Sequence, residues 1–148
     1  MSAKVCFAVA DGRWNSVRPS PRTTVRRVVR ALSRVLPGAL DCGARISVLL
    51  ANDAELERLN RKFRGMDKPA DVLSFETGDA MLPGDVAVSF DAVRRDAPGD
   101  FTAHLAHLCA HGVLHLLGYD HMDGKAAREM EGIEVMVLRE MEIENPYE

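Results

Sequence analysis

All five histidines of the 148-residue chain fall between positions 104 and 121. His104, His107, His111 and His115 recur at helical spacing near one face. His111 and His115 then lie one turn apart and can grip one ion with neutral imidazole nitrogens. By spacing alone His107 and His111 make an equally good pair. Gly118 separates the two choices, because glycine ends helices in the left-handed conformation and lets the chain turn back. His121 then returns to the end of the helix nearer His115. The predicted metal ligands are therefore His111, His115 and His121, holding one zinc ion per chain, with His104 and His107 read as packed or surface histidines. Three ligands leave a fourth position for water, the pattern of a catalytic rather than a structural zinc. In the H-E-x-x-H metalloproteases the residue after the first histidine is the glutamate base; here it is Gly112. A peptidase or amidase would lack its base on this helix. A metal can still bring the pKa of bound water to about 7 and so supply a nucleophile for another electrophile.

The run H-G-V-L-H-L-L-G-Y-D-H at 111–121, followed by Met130 and Glu134 in an M-x-x-x-E pattern and by Asn145-Pro146-Tyr147, resembles the YbeY family of bacterial metal-dependent endoribonucleases. Upstream, Leu59, Asn60, Phe63 and Arg64, then Asp71 to Phe75 (D-V-L-S-F) and Gly84 to Val86, carry the same resemblance. It covers roughly the C-terminal two-thirds of the chain. Two features depart from it: Ala70 stands where the family commonly has threonine, and the arginine-rich segment from Arg22 to Arg34 lies outside the motif.

The resemblance implies a zincin-like α+β fold, zinc on the three histidines, and RNA as substrate. The implied activity is single-strand-specific endonucleolytic cleavage in ribosomal RNA maturation and ribosome quality control, with the small ribosomal subunit or its associated factors as partners. Arg64 is the implied catalytic side chain. Its planar fork suits a phosphate and can stabilise the charge of a pentacoordinate phosphorane. Asp120 either orients a histidine ring or shapes the turn before His121. Glu134 either reaches the site from the last helix or is a solvated helical carboxylate, and Asp71 is a further candidate to support the ligands. The alternative from another functional class is a ribosome-binding assembly factor whose metal is structural.

Those residues have to be positioned by a mixed set of elements. Lys4 to Val9 and Arg45 to Ala51 read as strands, and Asp71–Glu76 and Asp85–Ser89 as a pair joined by a loop over Gly78 to Gly84. Val25, Val28, Val29, Leu32, Val35 and Leu36 recur at helical spacing, stopped by Pro37-Gly38. A second helix starts at Asn52 or Asp53 and runs through Phe63, burying Leu56, Leu59 and Phe63. Three more are expected: from Asp91 to before Pro98, from Asp100 to Leu117 and from Gly124 to Glu142. Interleaved helices and strands with one hairpin predict the α+β class, a small mixed sheet of about four strands packed with helices.

A hydrophobic content of 47% and a charged content of 28% suit a single globular domain over residues 1–148. Cys6, Cys42 and Cys109 form no C-x-x-C pair and read as buried thiols of a reducing compartment. No basic segment precedes an apolar run at the N-terminus, and the apolar stretch from Phe101 to Leu117 carries four histidines. A soluble, cytoplasmic protein without membrane contact is expected. The net charge of −3 argues against a generic nucleic-acid binder. Its distribution is uneven, with seven arginines and no carboxylate from Gly12 to Leu40. Arg26, Arg27 and Arg30 are accordingly candidates for RNA contact, against the alternative of a solvated helix face.

Overall fold

The computed structural model describes residues 3–40, 43–68, 70–96 and 99–147. In chain order the elements are β1 (Lys4–Val9), a 3₁₀ turn (Gly12–Ser16), α1 (Pro21–Val35), β2 (Arg45–Ala51), α2 (Asp53–Arg64), β3 (Val72–Asp79), β4 (Leu82–Ser89), α3 (Phe90–Asp96), α4 (Phe101–Leu116) and α5 (Gly124–Glu140). The four strands form one sheet in the order β1-β2-β4-β3. β1, β2 and β4 run parallel, and β3 returns antiparallel along β4. This is the mixed α+β sheet that the interleaved pattern predicts.

The main core lies between one face of the sheet and α1, α4 and α5. On α1, Val25, Val28, Val29 and Leu32 are buried. Ile46, Val48 and Leu50 of β2 alternate inward to meet them. α4 is packed against α1, α5, β3 and β4 together. Most of its circumference is therefore buried, and its sequence is apolar nearly all round. Beyond its first turn, His104, His107, His111 and His115 form a half-buried strip, and this strip places the polar chemistry at the margin of the core.

On the opposite face α2 covers β3 and β4, closing a smaller cluster of Ala51, Leu56, Leu73 and Ala87. Asn52 caps α2 by accepting from the Glu55 N–H at 2.8 Å. Phe63 does not join the buried stripe of Leu56. It is 60% exposed, because the last turn of α2 passes the edge of the sheet, where its ring meets Phe75 with centroids 5.6 Å apart. The stretch from Gly78 to Gly84 is mostly strand rather than loop, with a register shift between Glu76 and Asp79. Of the cysteines, Cys109 is buried, and burial pushes its thiol up to about 12. Cys6 is exposed, contrary to the sequence reading, since it lies on β1, the edge strand of the sheet. Cys42 lies outside the described residues. Among the described residues no helix is long and apolar enough to cross a membrane.

Candidate metal centre

α4 ends in a Schellman turn: the Tyr119 N–H donates to the Leu114 carbonyl at 3.0 Å, and the Gly118 N–H to the His115 carbonyl at 3.1 Å. Gly118 takes φ 95° there, a conformation that costs glycine little and other residues much. The reversal brings His121 back to the helix end. Its ring centroid lies 5.3 Å from that of His111 and 5.1 Å from that of His115. One ligand atom from each of the three residues falls within 4.8 Å of the others, so the group can hold one metal ion.

The hydrogen bonds around the rings show which nitrogens face the centre. His115 Nδ1 lies 2.9 Å from the Tyr119 carbonyl, and His111 Nδ1 lies 3.0 Å from Glu134 Oε2. Both partners only accept, so both Nδ1 atoms carry the proton and both Nε2 atoms keep a lone pair. Those two Nε2 atoms are 3.1 Å apart. Without a proton or cation between them, two lone pairs at that distance repel. Tetrahedral zinc with bonds of about 2.0–2.1 Å sets its ligand nitrogens about 3.3 Å apart, and three imidazoles are a donor set that suits zinc. Burial, then the neighbouring His111, lowers the pKa of His115, which favours the neutral form that a metal needs.

Glu134 is fully buried and accepts from three donors. Besides His111, His107 Nε2 lies 2.6 Å from its Oε1, and the Tyr147 hydroxyl donates to the same oxygen at 2.5 Å. Burial pushes this carboxyl up, but donation from His107, His111 and Tyr147 outweighs it and holds the pKa at about 2. The solvated alternative for Glu134 is thus excluded. One sequence signal bears on this: Met130, Glu134, Val137, Leu138 and Met141 make one apolar stripe, of which only Glu134 is charged. A charge in such a stripe has to be partnered. His107, read as a packed or surface residue, and Tyr147 are the partners that sequence reasoning missed.

Arg64 closes α2 ahead of Gly65. Its Nη2 donates to the Ser74 carbonyl at 2.5 Å, and its guanidinium carbon lies 5.5 Å from the centre of the Phe75 ring. It shares with Ser74, His111, His115, Asp120 and His121 a cleft of about 500 Å³. Asp120 accepts from the Met122 N–H at 3.1 Å, so its carboxylate shapes the turn that carries His121. Asp71 stands apart from the cleft, exposed, with its carboxylate 3.8 Å from Arg95. Arg26, Arg27 and Arg30 are also elsewhere. They belong to α1, beside the opposite sheet edge, where Arg26 lies 5.2 Å from the centre of the Phe7 ring.

Gly112 has a packing reason. A Cβ there would stand 2.8 Å from Val86 Cγ1 and 3.2 Å from Val72 Cγ2, and its carbonyl accepts from Ser74 Oγ at 2.7 Å. α4 rests on β3 and β4 at this residue, which leaves no room for a glutamate base.

The sequence profile of the family described as Endoribonuclease YbeY matches residues 13–142. A protein named Endoribonuclease YbeY from Gluconobacter oxydans is 39% identical over 142 residues, covering 94% of this chain and 84% of the relative. One of the same name from a Chelativorans species is 41% identical over 151 residues, covering 95% and 91%. Among solved structures, the solution structure of TM1509 from Thermotoga maritima superposes with a TM-score of 0.57 at 22% identity, covering 93% of this chain and 91% of that one. That likeness extends to the fold alone.

Proposed function

Because the chain belongs to the YbeY endoribonuclease family, we propose that it is a zinc-dependent endoribonuclease that cleaves single-stranded ribosomal RNA in the cytoplasm. Its roles in this reading are ribosomal RNA maturation and ribosome quality control, on or near the small ribosomal subunit. The observation that carries the proposal is the meeting, in one cleft, of three convergent imidazoles with an arginine from another helix.

His111, His115 and His121 would hold the ion, and among the described residues no fourth His, Cys, Asp or Glu joins the group. That supports a catalytic over a structural centre. When bound, zinc there supplies Lewis acidity and a water acidified to near neutral pH. Arg64 binds and orients the scissile phosphate. Its bond to Ser74 and its contact with Phe75 fix the guanidinium, and its remaining N–H donors face charge that grows on the phosphoryl oxygens. Glu134 and the Tyr119 carbonyl keep the Nδ1 protons of His111 and His115 in place, which fixes tautomer and ring direction. The crowding at Gly112 weighs against peptidase chemistry of the H-E-x-x-H kind.

Metal analysis combined with cleavage of a single-stranded and a duplex ribosomal RNA fragment tests the proposal. About one zinc per chain and zinc-dependent cleavage of the single strand are expected of the wild type, with both lost in His115→Ala. RNA binding without metal-dependent cleavage would instead favour the assembly-factor reading.

A further inference from the structure

We infer that Tyr147, with His107, is a positioning residue for the metal centre: the segment after α5 latches onto Glu134 and thereby fixes His111 as a ligand. This rests on the reading of His111, His115 and His121 as a metal site.

The geometry divides the Glu134 carboxylate between two tasks. Oε2 accepts from His111, while Oε1 accepts from His107 and Tyr147, whose own polar atoms are 3.0 Å apart. With both oxygens engaged, the carboxylate cannot rotate without breaking a bond inside the protein. Without the two donors on Oε1, a fully buried carboxylate would be left with one partner. Such a group rotates to recover its lost partners, and that rotation frees the His111 ring.

Tyr147 is suited to this task rather than to packing. It is 48% exposed, so about half of it stays in water, yet its hydroxyl reaches a buried oxygen. The intervening chain aims it. Met141 is buried, the Ile143 N–H returns to the Leu138 carbonyl at 2.8 Å, and Asn145 Oδ1 accepts from the Tyr147 N–H at 2.8 Å across Pro146. The ring meets His107 edge-on, centroids 5.4 Å apart. Burial and the adjacent carboxylate push the phenol above its ordinary pKa, so the hydroxyl stays a donor. The Asn-Pro-Tyr motif thus builds the turn that delivers a hydroxyl to the residue behind a metal ligand.

Outer partners of metal-bound histidines are typically worth about 10–100-fold in affinity, and coupling is reciprocal. Zinc affinity is measured by chelator competition on the whole protein as wild type, Tyr147→Phe, Glu134→Gln and the double variant. Tyr147→Phe should weaken zinc binding on the order of tenfold and Glu134→Gln up to about a hundredfold. The double variant should be no weaker than Glu134→Gln, because Tyr147 acts through Glu134. Zinc should slow amide exchange over residues 141–147 in the wild type and much less in Tyr147→Phe. Should Glu134→Gln not fold, His107→Gln, which keeps an N–H donor, should bind zinc more tightly than His107→Leu. Unchanged affinity in Tyr147→Phe, or additive losses in the double variant, overturns the latch and leaves the metal site standing. A wild type that binds no zinc overturns the metal reading itself, and the latch with it.

Discussion

The Nε2 atoms of His111 and His115 stand 3.1 Å apart on consecutive turns of α4, each with its ring's Nδ1 already bonded elsewhere. The two lone pairs are held together by α4 and aimed by a carboxylate and a carbonyl, so the site is preorganised for a cation.

Removing either nitrogen leaves too few ligands. His111→Ala and His115→Ala should reduce zinc to well under one ion per chain by elemental analysis. His104→Ala should not, since His104 faces Asp96 at 4.0 Å and lies outside the ligand group. Full occupancy in His115→Ala would remove that residue from the site.

Arg64→Ala should lower the rate of RNA cleavage on the order of a hundredfold, the usual cost of losing one donor aimed at transition-state charge. Arg64→Lys should also be impaired, because a point charge cannot reproduce the fork held between Ser74 and Phe75. Zinc content should be unchanged in both. Cleavage at the wild-type rate by Arg64→Ala, at equal zinc and equal Tm, would take Arg64 out of the mechanism.

Gly112→Ala gains about 1 kcal/mol of helix propensity but drives a methyl to 2.8 Å from a stiff valine. Overpacking of this kind costs about 1–3 kcal/mol. α4 must lift from β3 and β4 to relieve it, carrying His111 along. Lower Tm together with weaker zinc binding is expected; a variant as stable as wild type would show that the contact yields freely.

The metal-free protein should lose stability in two steps as pH falls. His104 is held below its ordinary 6.5, first by burial and then by His107, and His115 by burial and then by His111. The unfolded chain therefore binds protons that the folded one refuses, and stability drops as pH passes down through about 6.5. Glu134 works at lower pH: its folded pKa of about 2 lies under the ordinary 4.5, so its contribution is full above 4.5 and lost between there and 2. Urea midpoints at stepped pH measure both, and His104→Gln should flatten the upper step. A midpoint independent of pH between 7 and 5.5 would contradict the first step.

Reversing Arg26, Arg27 and Arg30 to glutamate should weaken RNA binding and reduce its salt dependence, as expected when phosphate contacts are lost. Cleavage at saturating RNA should be spared, because α1 lies beside the sheet edge opposite β3. Affinity and salt slope equal to wild type would mark these arginines as a solvated face.

What the sequence determined by itself is local. Valine and leucine spacing gave α1, a run rich in Val, Ile and Leu gave β2, and Asn52 and Asp100 marked helix starts, because each depends on neighbours within a turn or two. The histidine triplet was legible for the same reason: a helical turn aligns His111 with His115, and Gly118 reverses the chain toward His121. Packing between distant segments decided the rest. Whether Glu134 was solvated or buried depended on α5 lying against α4, and its bonds to His107 and His111 span 27 and 23 residues. Arg64 reached the cleft because α2 ends at the free edge beside β3, whereas Asp71, seven residues later, turned toward Arg95. Phe63 and Cys6 sat at helical or alternating positions that promise burial, yet both stay exposed at the margins of the sheet. Periodicity along a chain states which side of an element a residue occupies. What stands opposite that side is set by the free energy of the whole packed arrangement, in which residues tens of positions apart exchange water for one another.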